Sequence, residues 1–476
     1  MTKFSEPSKP VMSEENPKKK STRIDLTQGK ISRHILRMLG PFSIAVIALL
    51  SAGIIDTIYL GRLTSDTQPN LGVLALAAVG FAYPLTFLGN SANIGLGAGT
   101  LSAISRAIGQ GDFDRARRHA AAAIIMALCV MTGLVALILT VLPLVLNVMG
   151  ADGLIKDMAT DYLLISLPGL VIVSVAMTSN NILRASGEAA LPSIIMISGA
   201  VINIILDPFL IYGWGPFPRL EVQGAAIATV TGNVFASLFG LYIVVFHRKA
   251  VSFLSMTFQS LKRAWKIIGA VGIPAAFTNI IVPFSAAVAV AIIARSLTVT
   301  DVAAFTVVSR AEMISVGLLY ALSACIGAIT GQNGGAGLTE RVRLTFKICY
   351  TICVIWSTFM AILLFVFAEQ VVGVFTKDAM VIAAAKPYFY IVPITVFAYG
   401  FVFVTAAGFN ALGRPLYGLT FTGIRSLVLY ISLIYIGVTL DGLRGAFFGI
   451  AGANILSGLL AAGWALFKAP MTAKKS

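Results

Sequence analysis

Apolar runs, each roughly 20 to 30 residues long and so able to cross ~30 Å of hydrocarbon as an α-helix, recur from residue 34 to residue 467. Short polar segments are all that separate them. Only 12% of the residues are charged against 58% hydrophobic, too few to coat a water-soluble body of this size. The chain therefore reads as an all-α integral membrane protein. The runs fall at 34–61, 71–101, 117–146, 158–185, 190–213, 222–247, 266–296, 302–331, 343–369, 379–411, 415–438 and 442–467, which predicts twelve transmembrane helices. A net charge of +15 raises the question of nucleic acid. No nucleic-acid partner is expected, because the cations are spread over short loops with no basic face and no RNA-binding motif.

The distribution of Lys and Arg orients the spans. Loops on one side carry little beyond Arg62, Lys156, Arg219, Arg295, Lys377 and Arg444. The opposite side holds the N-terminal segment, "RAIGQGDFDRARRH" at 106–119, "HRKA" and "LKRAWK" around 247–266, "ERVRLTFK" at 340–347, and Lys468, Lys474 and Lys475. Both termini are thus expected in the cytoplasm of a protein of the plasma or inner membrane. Residues 1–33 are polar and Pro-interrupted, without the apolar core of a signal peptide, and read as a disordered tail. Residues 468–476 are expected to form a short cytoplasmic C-terminal tail.

Signatures recur at a nearly constant offset. "IGQGDFDRARR" answers to "TGQNGGAGLTERVR", with Gly331 222 residues after Gly109. "NNILRASGEAALP" answers to "GFNALGRPLYG", placing Gly187 against Gly413, and "VQGAAIATVTGN" answers to "LRGAFFGIAGAN", placing Gly224 against Gly445 and Asn233 against Asn454. Pro41 similarly matches Pro274. The expected domains are a first lobe at 34–247, a cytoplasmic linker at 248–265 and a second lobe at 266–467. An even number of spans per half relates the lobes by a pseudo-two-fold axis along the membrane normal. Such duplication favours alternating access between lobes.

Ionisable side chains inside spans are costly and mark partners or function. At ~1.5 Å per residue, Asp56, Asp207 and Thr229 lie at about one depth, and Asn203 shares a helix face with Asp207 one turn away. Pro208 deprives the Ile204 carbonyl of its usual donor. Two carboxylates, an amide and a hydroxyl with no nearby cation suit a proton or a hard cation such as Na⁺. The alternative is that Asp207 only ties helices together. The second half has no acid at the matching positions, carrying instead Arg310, Glu312 and Arg425 near the midplane. Either a structural ion pair, Glu312 with Arg425 or with Arg310, or a direct role in transport would account for them. His34, His119 and His247 fall at span ends and read as solvated. Cys129, Cys325, Cys349 and Cys353 lie in apolar runs as packing residues, so no metal site is expected. No nucleotide-binding loop or catalytic set appears, so the chain reads as neither an enzyme nor an ATP-driven pump, without a cofactor.

"GIIDTIYLGRL", "AIGQGDFDRARR", "NNILRASGEAALP", "NIILDPFLIYGWG", "VQGAAIAT" and "FNALGRP" resemble, in order and spacing, the multidrug and toxic-compound extrusion (MATE) family, over essentially all of 34–467. The resemblance implies a V-shaped two-lobed antiporter, exchanging H⁺ or Na⁺ for amphipathic, often cationic, compounds and working as a monomer in the bilayer. The family's first-lobe cation site carries over to Asp56, Asn203, Asp207 and Thr229. Some members also have acids on helices 7 and 10, and this chain has none there, which makes the first lobe the expected coupling centre. Lipid-linked sugar flippases of the same larger group are the alternative. They call for a basic cavity that Arg310 and Arg425 alone supply poorly.

Overall fold

In hydrocarbon each backbone N–H and C=O must be satisfied within the chain, and the apolar runs meet that demand as helices. The computed structural model describes residues 25–64, 70–253, 256–376, 378–467 and 473. The first half comprises α1 (Ile31–Gly61), α2 (Leu71–Gly109), α3 (Phe113–Val148), α4 (Gly153–Ala185), α5 (Ala190–Tyr212) and α6 (Glu221–His247). The second comprises α7 (Phe258–Ser296), α8 (Val299–Gly335), α9 (Thr339–Val366), α10 (Ala379–Ala411) and a last apolar stretch, Pro415–Phe467. That stretch is two spans. Asp441 and Gly442 leave helical geometry, with Gly442 at φ 55°, so the chain turns back there and separates α11 (415–440) from α12 (443–467). Among the described residues this gives twelve membrane-length helices in two sets of six, beside a short helix at Ala368–Phe375.

Two boundaries differ from the sequence reading. Residues 1–24, Lys377 and the C-terminal lysines lie outside the described residues. Residues 25–33, expected in a disordered tail, are ordered. Leu26 is buried against the second half, its N–H donates to Gln332 Oε1 at 3.2 Å, and its carbonyl accepts from Asn333 Nδ2 at 3.1 Å. A single Leu in a polar segment finds an apolar seat with amide partners, which composition could not reveal. The expected linker is also shorter, because α7 starts at Phe258. Thr257 and Ser260 cap it reciprocally, each side chain bonding the other's backbone N–H, at 3.3 and 3.0 Å.

The halves are joined at the end that bears the termini. Ser102 Oγ donates to the Ala411 carbonyl at 3.1 Å, Gln332 Nε2 to that of Ala185 at 2.7 Å, and Arg184 Nη2 to that of Ala324 at 2.9 Å. Helices α2 and α8 cross here at the repeat-related glycines. A Cβ on Gly109 would lie 2.0 Å from the Gln332 carbonyl oxygen, and one on Gly331 would lie 1.9 Å from Ser105 Oγ. The Gly-rich run at 95–100 serves the same end, since a Cβ on Gly95 would meet the Gly272 carbonyl of α7 at 2.4 Å.

The opening turns of α1 and α7 each cross to the other half. Ile31, Ile35, Met38 and Phe42 belong to a core of the second half, while Ile268 belongs to a core of the first. Farther from that end, Tyr83 of α2 and Tyr320 of α8 are 59% and 48% exposed.

Candidate functional site

Close helix contact brings the first-half polar residues together. Helices α5 and α6 touch backbone to backbone, for a Cβ on Gly232 would sit 2.4 Å from the Gly199 carbonyl oxygen and one on Gly224 2.4 Å from that of Leu210. Asn203 and Thr229 lie between these two contacts. Helix α1 is tied to α5 one turn farther out, where the Tyr212 hydroxyl donates to the Tyr59 carbonyl at 2.8 Å and the two rings meet edge to face at 5.9 Å. Asp56 is one turn from Tyr59 on α1, and Asp207 a little over one turn from Tyr212 on α5.

The four residues singled out from sequence, Asp56, Asn203, Asp207 and Thr229, meet in one place. Asn203 Nδ2 donates to Asp207 Oδ1 at 3.2 Å and to Thr229 Oγ1 at 3.3 Å. The Asp56 carboxyl lies close enough to Asp207, Asn203 and Thr229 to interact with all three. Asp207 is fully buried. Asp56 Oδ1 and Asp207 Oδ2 are buried with no donor among the described residues. Two neighbouring carboxylates repel unless a proton or a cation lies between them. The donor set is entirely oxygen and amide, which fits either H⁺ or a hard monovalent cation. Tyr162 of α4, which sequence reasoning missed, lies within electrostatic reach of both acids. Helix α5 runs through Pro208 as a single helix.

The second-half residues are arranged differently. The expected ion pair is not formed among the described residues. Arg425 directs Nε and Nη2 onto Asn454 Oδ1 at 3.2 and 2.9 Å, and its guanidinium stacks 3.4 Å from the Tyr399 ring centroid. Glu312 senses Arg425 as a nearby charge and faces the Tyr388 hydroxyl. Arg310 is exposed, and two positions along a helix from Glu312 it points to another face. Helix α11 widens into a π segment across Ile424–Tyr430, carrying Arg425 inside it. Asn454 and Tyr399 were missed as partners. The repeat held a signal for Asn454, since its mate Asn233 stands in α6 four residues after Thr229.

Two smaller expectations also resolve. His119 is buried, not solvated, with Nδ1 3.4 Å from the Ala103 carbonyl. His34 stays at the surface, Nε2 2.6 Å from the Gln28 carbonyl.

Twelve membrane-length helices among the described residues, in two repeat-related sets joined at the end that bears the termini, define a two-lobed membrane protein of the transporter kind. The MatE family model matches this chain over residues 41–209 and 274–436, one match in each half. The chain belongs to that family. It is 29% identical over 437 residues to the FAD transporter of Shewanella oneidensis, covering 92% of this chain and 95% of that protein. It is 26% identical over 429 residues to the multidrug export protein MepA of Staphylococcus aureus, covering 88% and 90%. A solved structure described as the outward-facing conformation of a multidrug resistance MATE family transporter superposes with a TM-score of 0.87 at 26% identity, covering 94% of this chain and 98% of that one. The family and these relatives are membrane transporters and not enzymes.

Proposed function

We propose that the protein is a secondary active exporter that exchanges H⁺ or Na⁺ for amphipathic organic compounds by alternating access. One observation carries the reading: Asp56 and Asp207, from separate helices, lie together, each with a buried oxygen that has no donor among the described residues. A cation entering between them removes the repulsion and lets α1 and α5 close on each other through Asn203 and Thr229. Its departure restores the repulsion and loosens the same helices. The first lobe thus has two packings, chosen by cation occupancy, and the cleft between lobes changes shape with it. Cargo binds against the aromatic walls of that cleft, where Tyr83 of one lobe stands within electrostatic reach of Tyr320 of the other, and Tyr320 packs on Phe403 at 4.9 Å.

For the cargo, two observations favour a second reading beside the organic cation. One relative is a FAD transporter, and Arg425, buried in the second lobe and bonded to Asn454, makes no salt bridge among the described residues. An anionic flavin nucleotide would be attracted where a cation would not.

Purified protein in liposomes tests both. Export of a fluorescent organic cation or of FAD is followed under a pH gradient alone and then a sodium gradient alone. One gradient is expected to drive flux, and Asp56→Asn and Asp207→Asn to abolish it without loss of folded protein. Wild-type flux that ignores both gradients, or unchanged flux in both variants, would sink the ion-coupled reading. Flux of FAD without the organic cation would select the second cargo.

A further inference from the structure

A cavity of about 850 Å³ opens between the lobes at the terminus-bearing end. Arg106 enters it from the end of α2, Arg263 and Lys266 from the first turns of α7, and Arg414 from the turn between α10 and α11, whereas none of the lining residues is acidic. Arg106 is buried, its Nε donating to the Ser102 carbonyl at 3.1 Å. Its guanidinium presses on that turn so closely that a Cβ on Gly413, at φ +75°, would lie 2.5 Å from Nη1. The cavity is therefore shared, with one cation from the first lobe and three from the second.

The charges occupy only one end of the site. Ile267, Ala270 and Val271 make an apolar wall beside them. From Lys266 an exposed stripe continues along α7 through Ala270, Ile273 and Phe277, at four, seven and eleven residues, which is one helix face. Ile273 and Phe277 are 62% and 57% exposed. The cationic end sits where α2 and α10 finish and α7 begins, the end of the spans where headgroups are expected, and the stripe runs from there toward the middle of the α7 span. A soluble anion would use the charges alone, whereas a phospholipid also uses the stripe that continues from them. We propose that this cavity binds an acidic phospholipid, with its phosphate among Arg263, Lys266 and Arg414 and one acyl chain along Ala270, Ile273 and Phe277. The basic face of a membrane protein meets the leaflet that is rich in such lipids. Because Arg106 and Gly413 come from opposite lobes, an occupant here favours the arrangement with this end closed.

The test does not depend on which ion drives transport. Full-length protein is reconstituted in nanodiscs of phosphatidylcholine with a minor fraction of phosphatidylglycerol, released, and its retained lipids counted by native mass spectrometry. Phosphatidylglycerol is expected to be retained on the order of tenfold over its share of the bilayer, and the Arg263→Gln/Lys266→Gln variant to lose most of that preference. Both replaced side chains are exposed, and an unchanged melting temperature in phosphatidylcholine alone confirms an intact fold. Equal retention of the two lipids by the wild type, or undiminished preference in the variant, overturns the proposal. So does displacement of phosphatidylglycerol by glycerol 3-phosphate or by FAD, either of which would assign the site to a soluble anion.

Discussion

The two lobes build the same joint and put opposite chemistry into it. In the first, α5 and α6 close on Gly224 against Leu210, where a Cβ would lie 2.4 Å from carbonyl oxygen; in the second, α11 and α12 close on its repeat mate Gly445 against Gly437, where a Cβ would come within 1.9 Å of carbonyl oxygen. Polar side chains bridge each joint beside the glycines. The first joint holds Asn203, Asp207 and Thr229 with Asp56 brought in by α1, and leaves two carboxylate oxygens without donors. The second holds Arg425 bonded to Asn454 and covered by Tyr399. Duplication supplied a scaffold that positions buried polar groups, and divergence left one copy with carboxylate oxygens that lack donors and gave the other a cation held by an amide and a ring.

The sharpest way to break this contrast is to remove the first-lobe charge. Asp207→Asn keeps shape and hydrogen bonding but ends the repulsion, and gradient-driven flux in liposomes is expected to fall by roughly a hundredfold or more, consistent with a switch that needs several kcal/mol to throw. Asp56→Asn should match it. An equally large loss from Arg425→Gln would show that the lobes do not divide the work as described.

Gly232→Val attacks the joint and not the charge. Its side chain has no space at 2.4 Å from the Gly199 carbonyl, and overpacking of this kind costs about 1–3 kcal/mol. A lowered melting temperature in detergent is expected, together with weakened cation dependence as Asn203 and Thr229 draw apart. An unchanged melting temperature would mean that the helices are not held by that contact.

In the second lobe, Arg425→Gln leaves Asn454 Oδ1 without its donors, a cost of about 1–3 kcal/mol for a buried polar group. Cargo affinity is expected to change severalfold in a flux titration while the ion requirement stays. The smallest effect should come from Tyr212→Phe, which deletes one 2.8 Å hydrogen bond between α5 and α1, worth about 1 kcal/mol. A modest loss of stability with intact coupling would confirm that Tyr212 braces the site without belonging to it.

The helices and the duplication were legible because hydrocarbon imposes length and periodicity on every span. The meeting of Asp56 with Asp207 was legible from depth alone, since residues at one level on neighbouring spans have few other places to go. Arg425 was not, for its partner is decided by side-chain reach and by a π segment across 424–430 that no residue type announces. Sequence offered Glu312 as a partner for Arg425, and the structure answered with an amide and an aromatic ring. Leu26 and His119 were misread for a related reason: whether a lone residue near a span end is covered depends on which distant helix arrives over it.

The exchange of opening turns between lobes carries a consequence for biogenesis. Ile35, Met38 and Phe42 emerge early from the ribosome, yet the core that covers them includes Leu319, Leu322 and Phe346 from much later in the chain. Until then those side chains must be sheltered by lipid or by an insertase, and a fragment ending before α7 would be left with an unmated helix. Severing the chain between α6 and α7 should therefore yield two pieces that mature only when made in the same cell.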